Sequence, residues 1–137
     1  RALGLKAENI ETGLTDLDKN QDVYDYICTA FDYKIVKGFP GNIFKSEEPI
    51  KRIEAMIIVT RAMKTAGNNM EITDNEIKEE LSKFDEEVPN WAKEEIATGI
   101  KYDVVKGYNK MLCLDDNVTK AEATALLRRI LKNLNLI

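Results

Sequence analysis

Apolar residues recur at helical spacing in two places that match each other. Ala55, Ile58, Val59, Ala62, Met63 and Ala66 read i, i+3, i+4, i+7, i+8, i+11, and Ala123, Leu126, Leu127, Ile130, Leu131 and Leu134 repeat that pattern 68 residues later. Each set predicts an amphipathic helix buried along one face. Upstream, Val23, Ile27, Phe31, Ile35 and Val36 fall on Ala92, Ile96, Ile100, Val104 and Val105 at a spacing of 69. The spacing drops by one between Gly107 and Glu122, so the second connecting loop is one residue shorter, at a place where deletions are tolerated. The chain therefore holds two copies of a helix-loop-helix unit, and such units need a neighbour to cover their apolar faces.

The same pattern, read with its punctuation, places helices over about residues 21–34, 51–66, 90–103 and 119–133. Gly67-Asn68-Asn69 stops the second of these, and Pro89 opens the third with Trp91 near its start, where a core position is expected. Between the copies, Thr73-Asp74-Asn75-Glu76 is a capping box, with Ile77, Leu81 and Phe84 behind it on a short linking helix. Strand signals are confined to Ile35-Val36 and Val104-Val105, as short extended pieces. Ala2-Leu3-Gly4-Leu5 resembles a helix end closed by glycine, so residues 1–13 read as the tail of an earlier helix and its exit. The fold class is all-α, and the start at Arg1, without methionine or an apolar leader, reads as a piece of a longer protein.

Composition narrows the function classes. With 137 residues, 44% hydrophobic and 32% charged, the chain can bury one ordinary core and contains no stretch able to span a membrane. A net charge of -4 supplies no general attraction to nucleic acid. There is no histidine, and the two cysteines, Cys28 and Cys113, lack metal-ligand spacing and read as buried free thiols. Asp16-x-Asp18-x-Asn20-x-Asp22 opens like a calcium loop, but Gln21 stands where glycine is needed and Ile27 where a bidentate acid is needed, so it reads as a solvated acidic turn. Glu47-Glu48, Glu79-Glu80, Glu86-Glu87 and Glu94-Glu95 read as solvated faces, because adjacent carboxylates on a helix diverge and cannot make a glycosidase pair. No metal, no cofactor and no catalytic activity are expected.

The chemistry with most promise lies at the two trailing helix starts. In Thr119-Lys120-Ala121-Glu122, Thr119 can cap the helix and Glu122 can reach back to it, leaving Lys120 at the first helical position. A cation beside free helix N–H groups favours an anion, and the corresponding Arg52, followed by Glu54, can grip a carboxylate in bidentate fashion where lysine offers a point charge. The alternative is that Arg52 and Lys120 pair with acidic neighbours. Gly38 and Gly107 either supply a backbone angle that other residues resist or approach a ligand. Phe39 and Tyr108, directly after them, are suited to stacking on a sugar face or to packing at the rim.

The ordered set Trp91-Ala92, Val104-Val105-Lys106-Gly107-Tyr108 and Val118-Thr119-Lys120-Ala121-Glu122 resembles the S-layer homology (SLH) domain family. The first copy carries Ile35-Val36-Lys37-Gly38-Phe39-Pro40, Phe44, Pro49-Ile50 and Arg52-Ile53-Glu54. It departs from the family motif at Lys51, where a capping threonine is expected, and at Asp22, in place of tryptophan. The second copy departs at Lys120, in place of arginine, and across residues 109–114. The resemblance implies a preceding repeat's tail at 1–13, one repeat over 14–67, a linking segment over 68–83 and a second repeat over 84–137, within a pseudo-threefold bundle. It further implies a non-catalytic module of the bacterial cell wall or S-layer, extracellular, that anchors its host protein by binding secondary cell-wall polysaccharide, often pyruvylated. Arg52, Lys120, Gly38, Gly107, Phe39 and Tyr108 would be the ligand residues, supported by the caps Glu54, Thr119 and Glu122. The competing reading is a structural or self-assembly module whose partners are other repeats or a second copy of the chain.

Overall fold

Capping chemistry decides where the helices begin. In the computed structural model, which describes residues 3–7 and 11–137, five α-helices form and no β-strand is present among the described residues. They are α1 (Tyr24–Asp32), α2 (Arg52–Thr65), α3 (Asp74–Leu81), α4 (Lys93–Lys101) and α5 (Lys120–Asn133), with a 3-10 turn at Asn90–Ala92 before α4. Thr73 and Thr119 cap α3 and α5 with their hydroxyls, and Glu76 and Glu122 reach back to the cap N–H groups. The first helix starts three residues later than its apolar pattern suggests. Val23 is its N-cap and has no side-chain cap, while Asp18 and Gln21 accept turn bonds from the N–H groups of Gln21 and Tyr24.

The chain divides into two compact units, Arg1–Glu48 and Pro49–Ile137. The first contains α1. The second contains α2 to α5, in which α2 packs against α4 and α5, and α3 packs against α4. Reading residues 1–5 as a helix end, or 1–13 as a preceding tail, involves Arg1, Ala2 and residues 8–10, which lie outside the described residues.

Several expectations change. Ile35-Val36 and Val104-Val105 are not strands. Lys34 and Asp103 take left-handed φ values of 57° and 59°, and the next two N–H groups turn back to the carbonyl of Ala30 in the first case and of Gly99 in the second. This closure satisfies helix-end carbonyls while driving Ile35, Val104 and Val105 into the core. Trp91 is 63% exposed, because the 3-10 turn directs Ala92 inward instead, and Ala92 is fully buried. The one-sided burial expected of both trailing helices fails in opposite directions. α2 buries Ile53, Ala55, Met56, Ile57, Val59, Thr60, Ala62 and Met63, around most of its circumference, since it has helices on more than one side. α5 buries only Ile130 and leaves Leu127 54% exposed. Cys28 is buried, Cys113 only partly, and both are free thiols.

Candidate functional site

The connecting loops are built alike. In the first unit Phe39 N–H donates to Ile43 O at 2.7 Å, and in the second Tyr108 N–H donates to Met111 O at 2.8 Å. The missing residue of the second copy therefore lies inside the turn, three residues (40–42) in one copy and two (109 and 110) in the other. A carboxylate then fastens each loop. Asp16 accepts the N–H groups of Phe44 and Lys45, both at 2.7 Å. Glu86 accepts those of Leu112, Cys113 and Leu114 at 2.7–2.9 Å. The bond from Lys45 is the first reason that the Asp16 carboxyl is held below its ordinary value. Asp16 is thus a loop fastener rather than part of a solvated acidic turn, and Glu86 is likewise not on a solvated face. Other members of the acidic pairs are engaged too, Glu94 by Lys64, Glu95 by Arg61 and Glu80 by Lys83.

Gly38 and Gly107 hold equivalent places for different reasons. Gly38 has a φ of +68°, and a side chain there would press on Ile43 O and Leu14. Gly107 has no such backbone angle; a Cβ would collide with the Phe84 ring and lie 2.5 Å from Met111 O. Close approach, not conformation, requires that glycine, which corrects the backbone-angle reading. Beside them, Phe39 is 43% and Tyr108 77% exposed, with Lys45 Nζ 5.5 Å from the Phe39 ring centre.

The two trailing helix starts differ. At α2 the N–H groups of Arg52 and Ile53 donate to the carbonyls of Asp116 and Leu114, and Val118 N–H donates to Ile50 O. That corner is filled by the second copy's own loop. Lys51 is the N-cap, and its ammonium cannot accept a bond from the helix; Glu54 still takes Lys51 N–H at 2.8 Å, and Lys51 Nζ meets Asp115 at 3.1 Å. The Arg52 guanidinium donates to Leu112 O at 2.9 Å and pairs with Glu122. Glu122 is held below its ordinary value, first by the Thr119 N–H and hydroxyl, then by Arg52. At α5, by contrast, Lys120 is exposed and its N–H and that of Ala121 have no partner among the described residues.

Between α2 and α5 lies a cleft of about 70 Å³ lined by Arg52, Met56, Lys106, Val118, Glu122 and Arg129, with Ala125 and Leu126. Three cations and one carboxylate line it, and of the three Arg52 pairs with Glu122. Lys106 also pairs with Asp103 at 2.9 Å, whereas Arg129 has no partner among the described residues. Such a place can hold an anion, and nothing in it forms an acid–base pair. The structure thus brings Arg52, Glu122 and Thr119 together. Lys120 heads α5, Gly107 and Tyr108 belong to the second unit's loop, and Gly38 and Phe39 belong to the first unit. Sequence reasoning missed Lys106, Arg129, Asp16 and Glu86. The last two had a signal, an apolar residue two positions before an acid in Leu14-x-Asp16 and again, 70 residues on, in Phe84-x-Glu86.

Residues 13–56 match the family model of the S-layer homology domain. The matched segment contains Asp16, the first connecting loop and the start of α2. No match was found among curated proteins or among solved structures. S-layer homology domains are non-catalytic modules of bacterial cell-surface proteins that bind secondary cell-wall polymers and anchor them to the wall. Among the described residues, no helix is long and apolar enough to cross a membrane.

Proposed function

We propose that this chain is a non-catalytic anchoring module that binds secondary cell-wall polysaccharide at the bacterial surface, through two tandem repeats of the S-layer homology type. The family match over residues 13–56 carries the class of function. The cationic cleft between α2 and α5 supports the site. Arg52 is committed to Glu122 and Leu112, so it serves as the clamp that shapes the cleft, and Arg129 is the guanidinium left for a ligand carboxylate such as that of a pyruvylated sugar. Lys120 and the open amides of the first turn of α5 add positive potential. Tyr108 in the second unit and, separately, Phe39 in the first each present an exposed ring face suited to a sugar.

The test is a binding titration on purified secondary polymer with wild type, Arg129→Ala and Lys120→Ala, each checked for unchanged helical circular dichroism. Loss of one charge-assisted contact of about 1.5–3 kcal/mol corresponds to roughly tenfold or more in affinity. Arg129→Ala is expected to lose that much and Lys120→Ala less. Unchanged affinity in both variants would remove the cleft as the site.

A further inference from the structure

The stretch that follows α2 is held at several points, yet its own polar groups are left unused. Gly67 ends the helix at a φ of 91°, and Met70 is buried, which pins the chain to the core. α4 and the residue after it fix the next position: Lys101 Nζ and the Tyr102 hydroxyl both donate to Glu71 O, at 3.0 and 3.1 Å. The Thr73–Glu76 capping box then closes the segment. None of these bonds engages the Asn69 side-chain amide or the Glu71 carboxylate, which are exposed and have no partner among the described residues. The backbone N–H groups of residues 68–72 have no acceptor there either. Asn68 uses its side-chain NH2 on Met63 O, at 3.4 Å, and keeps its amide oxygen.

This stretch forms one wall of a groove of about 700 Å³, within the size range of small-molecule sites. Opposite it stand Glu94 and Lys101, seven residues apart and so on one face of α4, with Lys64 near the end of α2. The groove lies wholly within the second unit. Lys64 is about 18 Å along α2 from Arg52, and the groove shares no residue with the cleft between α2 and α5. Charge limits what it can take. Both ammonium groups are already engaged, Lys64 by Glu94 at 3.4 Å and Lys101 by Glu76 at 2.7 Å, and three glutamates line the groove against two lysines. The surplus carboxylate of Glu71 repels anions. What stays open is a mixture of N–H donors and amide and carboxylate acceptors beside the apolar Met70 and Ile72. A sugar hydroxyl donates and accepts at once, and the C–H face of a sugar ring suits the apolar part.

We propose that this groove is a second binding site, for a neutral saccharide, with Asn69 and Glu71 as its principal hydrogen-bonding side chains. The wall-polymer reading enters only as the source of the saccharide, the uncharged sugars of the secondary polymer. Because the backbone is fixed before the ligand arrives, little ordering is lost on binding.

Amide NMR of the intact chain tests this, by titration up to about 10 mM with chitotriose, maltotriose and mannotriose, and with trigalacturonate as the anionic counterpart. At least one neutral trisaccharide should shift the backbone amides of residues 68–72 and the side-chain amides of Asn68 and Asn69; trigalacturonate should leave them in place. Asn69→Ala and Glu71→Ala, both at exposed positions, should each weaken that binding by about fivefold with helical circular dichroism unchanged. Secondary polymer added to Arg129→Ala should shift the same signals; if it does not while a trisaccharide does, the saccharide site stands and its assignment to that polymer falls. No shift from any neutral trisaccharide, shifts from trigalacturonate alone, or undiminished binding in both alanine variants would overturn the inference.

Discussion

Glu86 shows how one side chain organises a loop. Its two oxygens accept three consecutive backbone N–H groups, from Leu112 to Leu114, and so hold the segment whose carbonyls in turn receive Arg52 and Ile53. Bonds from amides to a carboxylate are shorter and stronger than neutral ones, and amides stranded without a partner cost more than the bond contributed. Glu86→Gln retains one acceptor oxygen and should destabilise the chain by about 2 kcal/mol. Its neighbour Glu87 is exposed, and Glu87→Gln should change stability by less than about 0.5 kcal/mol. Urea unfolding of the two variants checks this, and equal midpoints would show that the fastening contributes nothing. Carboxylates also set the acid limit. Glu76 is held at about 2, chiefly by the Lys101 ammonium at 2.7 Å and then by Thr73 N–H, against an ordinary value of 4.5. Because its folded value is the lower one, its contribution is complete above the unfolded value and is lost as pH falls toward the folded value; Glu122 and Asp16 share that sign. Stability should therefore decline from about pH 5 down to about pH 2, and more shallowly in Glu76→Gln. Parallel pH profiles for variant and wild type would contradict the assignment.

Among the elements, those with a local chemical signal were legible from the chain. The Thr73 and Thr119 capping boxes located α3 and α5, Gly67 ended α2, and the 68- and 69-residue spacings identified the paired helices. What the pattern could not convey was the number of neighbours each helix has. α2 and α5 carry the same apolar register, yet α2 is enclosed and α5 is bare on one side, a difference that depends on which helix lies across the interface. The Arg52 corner misled for a related reason. Its helix N-terminus is open in isolation, but carbonyls more than 60 residues away, at Leu114 and Asp116, fill it. Trp91 illustrates a third limit, since a single 3-10 turn shifts the inward position to Ala92. The bare cap at Lys51 gives a prediction at this scale. Lys51→Thr restores a hydroxyl acceptor at the N-cap of α2 while giving up only a solvent-exposed pair with Asp115, so it should stabilise the chain by about 1 kcal/mol. Thermal unfolding should show a higher midpoint, and a lower one would mean that the Lys51 pair outweighs a cap.

At the scale of the whole molecule, the two helix-loop-helix units differ at the starts of their trailing helices. The first has an arginine there, paired with Glu122; the second has a threonine cap and a helix on which Arg128, Arg129 and Lys132 have no partner among the described residues. An anchor assembled from several such sites gains hold through avidity, so modest affinity at each site suffices. Co-sedimentation of the purified chain with bacterial cell-wall sacculi, before and after chemical removal of the secondary polymer, tests this most directly. The chain should pellet with intact sacculi and remain in solution with stripped ones; equal pelleting with both, or none with either, would contradict wall anchoring through that polymer.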